Sequence, residues 1–274
     1  MPNLKVFAII SDYDGTLCPA GDIRVEGRNM IPVELKNVLW EISRNIPVCI
    51  LSSKDYEFLC DKVPFANIIS CIMGIETLML SRNDPSRIIS RHLLAEEKLI
   101  RSNADALNQL ADDVGAKFPD IAIERKLMYD GFLAGITFDW RSHGDWKQYS
   151  NLVTRYVRDA ISNRPHSGLY VQTYSFHPFV DVYAIKCDKG LGFDRIASEL
   201  GYSKAMGAIL YLSDSENDNP AFRKAEISIG IHSDDRLKPR LDCQHSIDYS
   251  RLAAFLQRLK NNDFEFEDGL LSIE

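Results

Sequence analysis

The apolar run Val6 to Ile10 is short, continuous and rich in β-branched residues, as expected for a strand buried on both faces. Leu35, Val38, Leu39 and Ile42 then recur at helical spacing between Val33 and Asn45, and Ile46 to Leu51 forms a second short apolar strand. A helix-like stretch from Asp55 to Val63 and a strand-like Ile68 to Met73 follow, so residues 1 to about 80 read as the start of a doubly wound α/β sheet with parallel strands. From Asn83 to about Ala184 the order changes to helix (Leu93 to Val114), two strands (Ile121 to Leu127, Phe132 to Trp140), helix (Trp146 to Ile161) and two strands (Tyr170 to Tyr174, Val180 to Ile185). That order predicts an α+β layer with an antiparallel sheet, and the polar stretch from Ser81 to Ser86 is a candidate hinge. After Asp188 the α/β alternation resumes: helix Gly190 to Leu200, strand Ala208 to Leu212, helix Pro220 to Ala225, strand Ile227 to Ile231 and a last helix Tyr249 to Lys260. The expected fold is a doubly wound, Rossmann-like parallel sheet formed by residues 1–82 and 186–274, with an inserted α+β domain at 83–185.

Composition narrows the function classes without changing this picture. The chain has 274 residues, 45% apolar and 26% charged, which is ordinary for a globular protein. No apolar run approaches the roughly 20 residues of a membrane span, and the start Met1-Pro2-Asn3-Leu4-Lys5 lacks a signal-peptide pattern, so a cytoplasmic protein with no membrane partner is expected. The six cysteines contain no Cys-x-x-Cys pair, which argues against a zinc site or a disulfide framework. A net charge of −7 disfavours a nucleic-acid partner, so an anionic substrate must be held by local groups.

The chemistry begins at Asp12-Tyr13-Asp14-Gly15-Thr16, one residue past the first strand. The period of two aims both carboxylates the same way, and two anions that close raise each other's pKa unless a cation or phosphate framework holds them. Gly15 and Thr16 let the chain turn sharply at the strand's carboxyl edge, where open parallel sheets bind ligands. A calcium loop does not fit, because Gly15 follows Asp14 immediately and position 23 is Ile23 rather than glutamate. Ser52, after the second strand, and the amides that follow it face the same rim, although a cap or loop role would suit such a serine too. Lys189 stands just before a helix, where it opposes the dipole; it can neutralise a carboxylate or phosphate, while Gly190 permits close backbone approach. Ser213-Asp214-Ser215-Glu216-Asn217-Asp218 brings two more carboxylates after the strand 208–212. Asp12, Asp14, Asp214 and Asp218 together suit Mg²⁺, with Asn217 bridging this loop to the phosphate or the lysine.

In this order, Asp-x-Asp-Gly-Thr, a strand-terminal serine, Lys-Gly and Asp-x-x-Asn-Asp resemble the four motifs of the haloacid dehalogenase superfamily. The long interval from Ser52 to Lys189 leaves room for an inserted cap, as in the branch of trehalose-6-phosphate, sucrose-phosphate and mannosyl-3-phosphoglycerate phosphatases. The resemblance implies a Mg²⁺-dependent sugar-phosphate phosphatase in which Asp12 is the nucleophile and Asp14 the acid and base. Ser52 and Lys189, with Ser53, Gly190 and Asn217, would hold the substrate, and Asp12, Asp14, Asp214 and Asp218 would serve the metal, Asp218 by orienting the metal's waters or Lys189. In the cap, Glu124, Lys126 and Arg141 would meet the sugar. The first motif is similar to the trehalose-phosphate group and the fourth to the sucrose-phosphate group; Ser53 and Ser213 replace glycines usual in the family. These departures bear on the substrate more than on the reaction. A phosphosugar mutase would use the same aspartates, and a receiver-like phosphoacceptor or sugar-binding module is the alternative from another class.

Overall fold

A computed structural model of the chain describes residues 4–19, 30–84, 87–163, 168–174, 177–232 and 240–272. The elements are β1 (Leu4–Ser11), α1 (Val33–Ser43), β2 (Val48–Leu51), α2 (Tyr56–Leu59), β3 (Ile68–Cys71), β4 (Glu76–Leu80) and β5 (Ile88–Leu93), then α3 (Glu97–Ser102), α4 (Ala104–Lys117), β6 (Ala122–Leu127), β7 (Leu133–Asp139), α5 (Trp146–Ser162), β8 (Tyr170–Thr173) and β9 (Phe179–Tyr183). The chain continues through α6 (Lys189–Glu199), β10 (Ala208–Ser213), α7 (Asn219–Phe222), β11 (Ile227–His232), β12 (His245–Asp248), α8 (Leu252–Asn261) and β13 (Glu265–Phe266).

A nine-stranded sheet has the order β12-β11-β10-β1-β2-β3-β4-β5, with β13 antiparallel to the start of β1. The strands from β12 to β3 are parallel, as expected for a doubly wound sheet. All four residues of β2 and all six of β10 are buried, because helices cover both faces. Alternate side chains of β1 serve different layers. Ile9 joins the cluster that includes Leu35, Leu39, Phe255 and Leu256, whereas Ile10 joins Phe193, Ile196, Tyr211 and Phe222. The chain leaves β1 towards β2 and β3 on one side and returns through β10 and β11 on the other, so the strand order switches between β1 and β10. In an open α/β sheet that switch opens a crevice at the carboxyl ends of the strands.

The first sheet ends differently from the sequence expectation. Strands β3, β4 and β5 are antiparallel neighbours, so residues 88–93 pair inside the large sheet rather than with the inserted layer. Of the candidate hinge, Pro85 and Ser86 lie outside the described residues; the rest follows β4, where the Ser81 N–H donates to Arg87 O at 2.9 Å and the Arg87 N–H to Asp84 O at 2.9 Å. The reversal before β4 is made at Ile72 (φ 51°), Met73 (φ 59°) and Gly74 (φ 89°), a left-handed turn with little propensity signature in its two apolar residues. Gly74 is required there, because a Cβ would lie 2.6 Å from the Gly192 Cα of α6. The expected helix 93–114 begins only at Glu97 and breaks at Asn103, whose amide donates to Ala184 O at 2.7 Å instead of facing solvent.

A separate four-stranded antiparallel sheet, β6-β7-β9-β8, carries α4 and α5 on one face. Its other face meets the large sheet beside the carboxyl ends of β2 and β3; a Cβ on Gly135 of β7 would lie 3.2 Å from the Ile72 side chain. Among the described residues no helix is long and apolar enough to cross a membrane.

Candidate active site

Asp12 sits where β1 ends, and its N–H still donates to Leu212 O of β10 at 3.0 Å, which fixes its backbone in the crevice. The side chain is nearly buried. Lys189, the first residue of α6, is fully buried, with Nζ 2.9 Å from Asp12 Oδ1, an ion pair without a directed hydrogen bond. The same Nζ lies 2.7 Å from Asp218 Oδ1 and donates to Asp218 Oδ2 at 2.9 Å. Burial by itself would drive the lysine towards its neutral form; Asp12 and Asp218 outweigh burial and raise its pKa, so it stays an ammonium. These carboxylates explain a lysine at a helix start, where the dipole alone opposes it. Capping is left to Asp188, which accepts from the Leu191 N–H at 2.9 Å.

Asp218 also accepts a short hydrogen bond from the Tyr211 hydroxyl, so both its oxygens are engaged. Its pKa is pushed up to about 6 by burial, against the pull of Lys189. Asp214 follows β10 and accepts from Thr16 Oγ1 at 3.2 Å. It rests directly on Gly15 (φ 79°), where a Cβ would meet Asp214 Oδ2 at 1.9 Å, so only glycine lets the carboxylate into the crevice. Burial, then Asp12 and Asp218, lift Asp214 well above the usual carboxylate range. Asp14 is likewise raised by burial, with Lys54 opposing and Asp12 and Glu124 adding to it.

The expected cage of four carboxylates does not form as a unit. Asp218 is turned onto Lys189 and Tyr211, and among the described residues no three His, Cys, Asp or Glu side chains converge to hold an ion. The carboxylates left facing one another are Asp12 and Asp214, hard oxygen donors. Asp12 and Asp218, both buried, share one buried ammonium, and the half-buried Asp214 beside them adds a third acid, so the excess negative charge suits a small divalent cation.

Ser52 is buried at the end of β2, and its Oγ accepts from the Lys54 N–H at 3.2 Å, leaving the hydroxyl proton available. The Ser52–Lys54 loop is clasped by the left-handed turn: Met73 N–H donates to Ser52 O at 3.0 Å and Ile72 N–H to Lys54 O at 2.9 Å. Ser53 is half-buried on that loop. Gly190 has a packing explanation that the sequence reading lacked, since a Cβ would lie 2.9 Å from Pro220 Cβ and 3.0 Å from Asp188 Oδ1. Asn217 bonds neither to the lysine nor across its own loop; its side chain hydrogen-bonds the Tyr174 hydroxyl of the second sheet.

Of the residues expected to meet a sugar, Glu124 and Arg141 line one cavity of about 480 Å³ between the two sheets, together with Lys54, Asp55, Phe58 and Asp139. Glu124 takes Lys54 Nζ on both oxygens at 2.9 Å, and Arg141 Nε donates to Asp139 Oδ2 at 2.8 Å. Lys126 is buried instead, 3.5 Å from Asp181 Oδ1, where Asp181 also accepts from Thr137, from Tyr174 at 2.7 Å and from Tyr183 at 3.0 Å. The β6–β7 hairpin is tied to the first sheet by Leu127 N–H to Asp55 Oδ2 at 3.2 Å and Tyr129 N–H to Glu76 Oε2 at 2.9 Å.

Lys54, Tyr211 and Asp181 belong to the site or its support and were not singled out from sequence. Lys54 carried a usable signal, a cation three residues beyond a strand end; Tyr211 lies within an apolar strand and had none.

The sequence matches no family model and no curated relative. By structure the chain is similar to the C-terminal domain of the C. albicans trehalose-6-phosphate phosphatase, with a TM-score of 0.72 and 15% identity over 94% of each chain. It is also similar to a haloacid dehalogenase-like hydrolase from Bacteroides thetaiotaomicron, with a TM-score of 0.62 and 13% identity over 93% of this chain and 100% of that one. A third likeness is to a HAD subclass IIB sugar phosphatase, with a TM-score of 0.55 and 12% identity over 94% and 99%. What such distant identities share is architecture, and the chain has, over nearly its whole length, the fold of the haloacid dehalogenase superfamily sugar phosphatases.

Proposed function

We propose that the protein is a phosphatase that hydrolyses a sugar phosphate through an aspartyl phosphate on Asp12, with the second sheet and its helices, from residue 94 to about 185, serving as a cap over the substrate. The observation that carries this reading is the buried Lys189 ammonium shared by Asp12 and Asp218 in the crevice between β1 and β10. An anion at that point loses less on leaving water, because a fixed cation already faces it. Asp12 would attack phosphorus while the ester bond to the sugar oxygen breaks. Asp14, favoured in its protonated form by burial, would give its proton to the leaving alkoxide. It would then take a proton from the water that attacks the acyl phosphate, which releases inorganic phosphate and restores Asp12. Lys189 and the Ser52 hydroxyl, with the Ser53 amide, would hold the phosphoryl oxygens, and Asp218, paired with Lys189, would position it. Asp12, Asp214 and the Asp14 backbone carbonyl would hold Mg²⁺, which offsets phosphate charge.

Glu124 and Arg141, on the cap side of the cavity, are the candidates for sugar contact; Lys126 is committed to Asp181 and would act by holding β6 in place. Trehalose 6-phosphate is the first substrate to try, since a structure of that activity has the same fold over 94% of this chain. The test is release of inorganic phosphate, with and without Mg²⁺, from trehalose 6-phosphate, sucrose 6-phosphate, mannosyl-3-phosphoglycerate and hexose phosphates. One substrate should stand above the rest, and Asp12→Asn should abolish turnover; Mg²⁺-dependent release persisting in Asp12→Asn would sink the nucleophile assignment.

A further inference from the structure

Among the described residues, two polar side-chain atoms at the seam between the sheets are buried without a hydrogen-bond partner: His177 Nε2 and Asn217 Oδ1. Both border Tyr174. Its hydroxyl donates to Asp181 Oδ2 at 2.7 Å, so it accepts from the Asn217 side chain, and this fixes the Asn217 amide nitrogen on Tyr174 and leaves its oxygen as the free acceptor. His177 lies edge-on to Tyr174, with ring centroids 5.9 Å apart, and stacks on Phe179 at 5.2 Å, so packing holds the plane of the imidazole. Native proteins rarely leave such atoms unmatched, so each calls for a partner.

We infer that His177 and Asn217 form a subsite that binds a hydroxyl of the leaving group, one of the polar recognition points that select the sugar over other phosphate esters. The inference rests on the phosphatase reading and adds its specificity determinant. The loop between β8 and β9 carries His177, and Asn217 stands next to Asp218, the partner of Lys189, so the subsite adjoins the phosphoryl end. A phosphate oxygen does not suit it: Asn217 Oδ1 accepts only, and the carboxylates of Asp181 and Glu216 act on the same imidazole. A hydroxyl does suit it, because its one proton goes to the amide oxygen while a lone pair accepts from the imidazole N–H. Burial lowers the His177 pKa, with Arg141 acting in the same direction and Glu216 and Asp181 opposing, so the ring is held neutral with one donor and one acceptor nitrogen.

The experiment compares kcat/KM for the best sugar phosphate with that for para-nitrophenyl phosphate, an ester whose leaving group carries no sugar hydroxyl. In His177→Phe, which keeps the ring shape and loses both nitrogens, the ratio of the two should fall roughly 10- to 100-fold, chiefly through KM on the sugar phosphate. His177→Gln, which retains a donor and an acceptor, should recover most of that loss, and thermal unfolding of both variants checks that they fold. A ratio held within twofold, or equal losses in the two variants, overturns the subsite. Release from para-nitrophenyl phosphate but from no sugar phosphate in the parent protein overturns the subsite and keeps the phosphatase; release from neither overturns both.

Discussion

Replacing Gly15 by alanine tests the most crowded contact of the site. The new Cβ would lie 1.9 Å from Asp214 Oδ2, 2.4 Å from Cγ and 2.7 Å from Oδ1, so the whole carboxylate must retreat by roughly 1.5 Å to reach ordinary contact. That retreat breaks the 3.2 Å hydrogen bond from Thr16, worth about 1 kcal/mol. The backbone at φ 79° adds about 1–2 kcal/mol for a residue with a Cβ. Together these predict a loss of about 2–3 kcal/mol, or a fall in Tm of roughly 3–5 °C for a chain of this size. Activity should fall by about 100-fold, the usual consequence of displacing a site group by an ångström or more. The assay is a double-mutant cycle by thermal unfolding: in an Asp214→Ala background the collision is gone, and Gly15→Ala should cost only the backbone share. If Gly15→Ala costs the same in both backgrounds, the two residues are not in the contact described and the argument for Gly15 fails.

Asp181→Ala strands the buried Lys126 without its counter-charge and should cost about 3–5 kcal/mol in denaturant unfolding, with Asp181→Asn milder; a loss under about 1 kcal/mol for both would show that the cluster is not closed to water. Burial tends to raise the Glu124 pKa, but Lys126, Lys54 and Arg141 outweigh it and hold it below its ordinary value of 4.5. A depressed carboxylate stabilises above its unfolded pKa, so the advantage of the parent over Glu124→Gln should be constant above pH 4.5 and disappear as pH falls below it. With Glu124 43% exposed the effect is less than about 1 kcal/mol, and a stability difference that ignores pH would count against the Lys54–Glu124 tie. Mg²⁺ at a hundredfold excess over its Kd should stabilise the parent by about 2.7 kcal/mol in thermal unfolding and Asp214→Asn far less; equal stabilisation of the two would remove Asp214 from the metal site.

The alternation of apolar runs and helical periodicity was enough to read the parallel strands β1, β2, β3, β10 and β11 and the β-α order of the second sheet, because hydrophobic period is a local property of the chain; the parallel strand β12, mostly polar, gave no such run. Rims were legible for the same reason: Asp12, Ser52 and Asp214 each follow an apolar strand, and strands of a doubly wound sheet share one carboxyl edge. The antiparallel edge was not legible, since its reversal uses Ile72 and Met73 in left-handed backbone that their side chains do not advertise and that the Gly74–Gly192 approach holds in place. Which carboxylate faces which cation depends on side chains far apart in sequence, and spacing left it open. Asp218, expected to orient metal waters or Lys189, is the counter-ion of Lys189; Asn217, expected to bridge to the phosphate or the lysine, hydrogen-bonds Tyr174; Lys126, expected at the sugar, is buried on Asp181. Local pattern selects the elements and the edge on which chemistry can sit. The pairing of charges at that edge is set by burial and distance, quantities that exist only once distant segments are packed together.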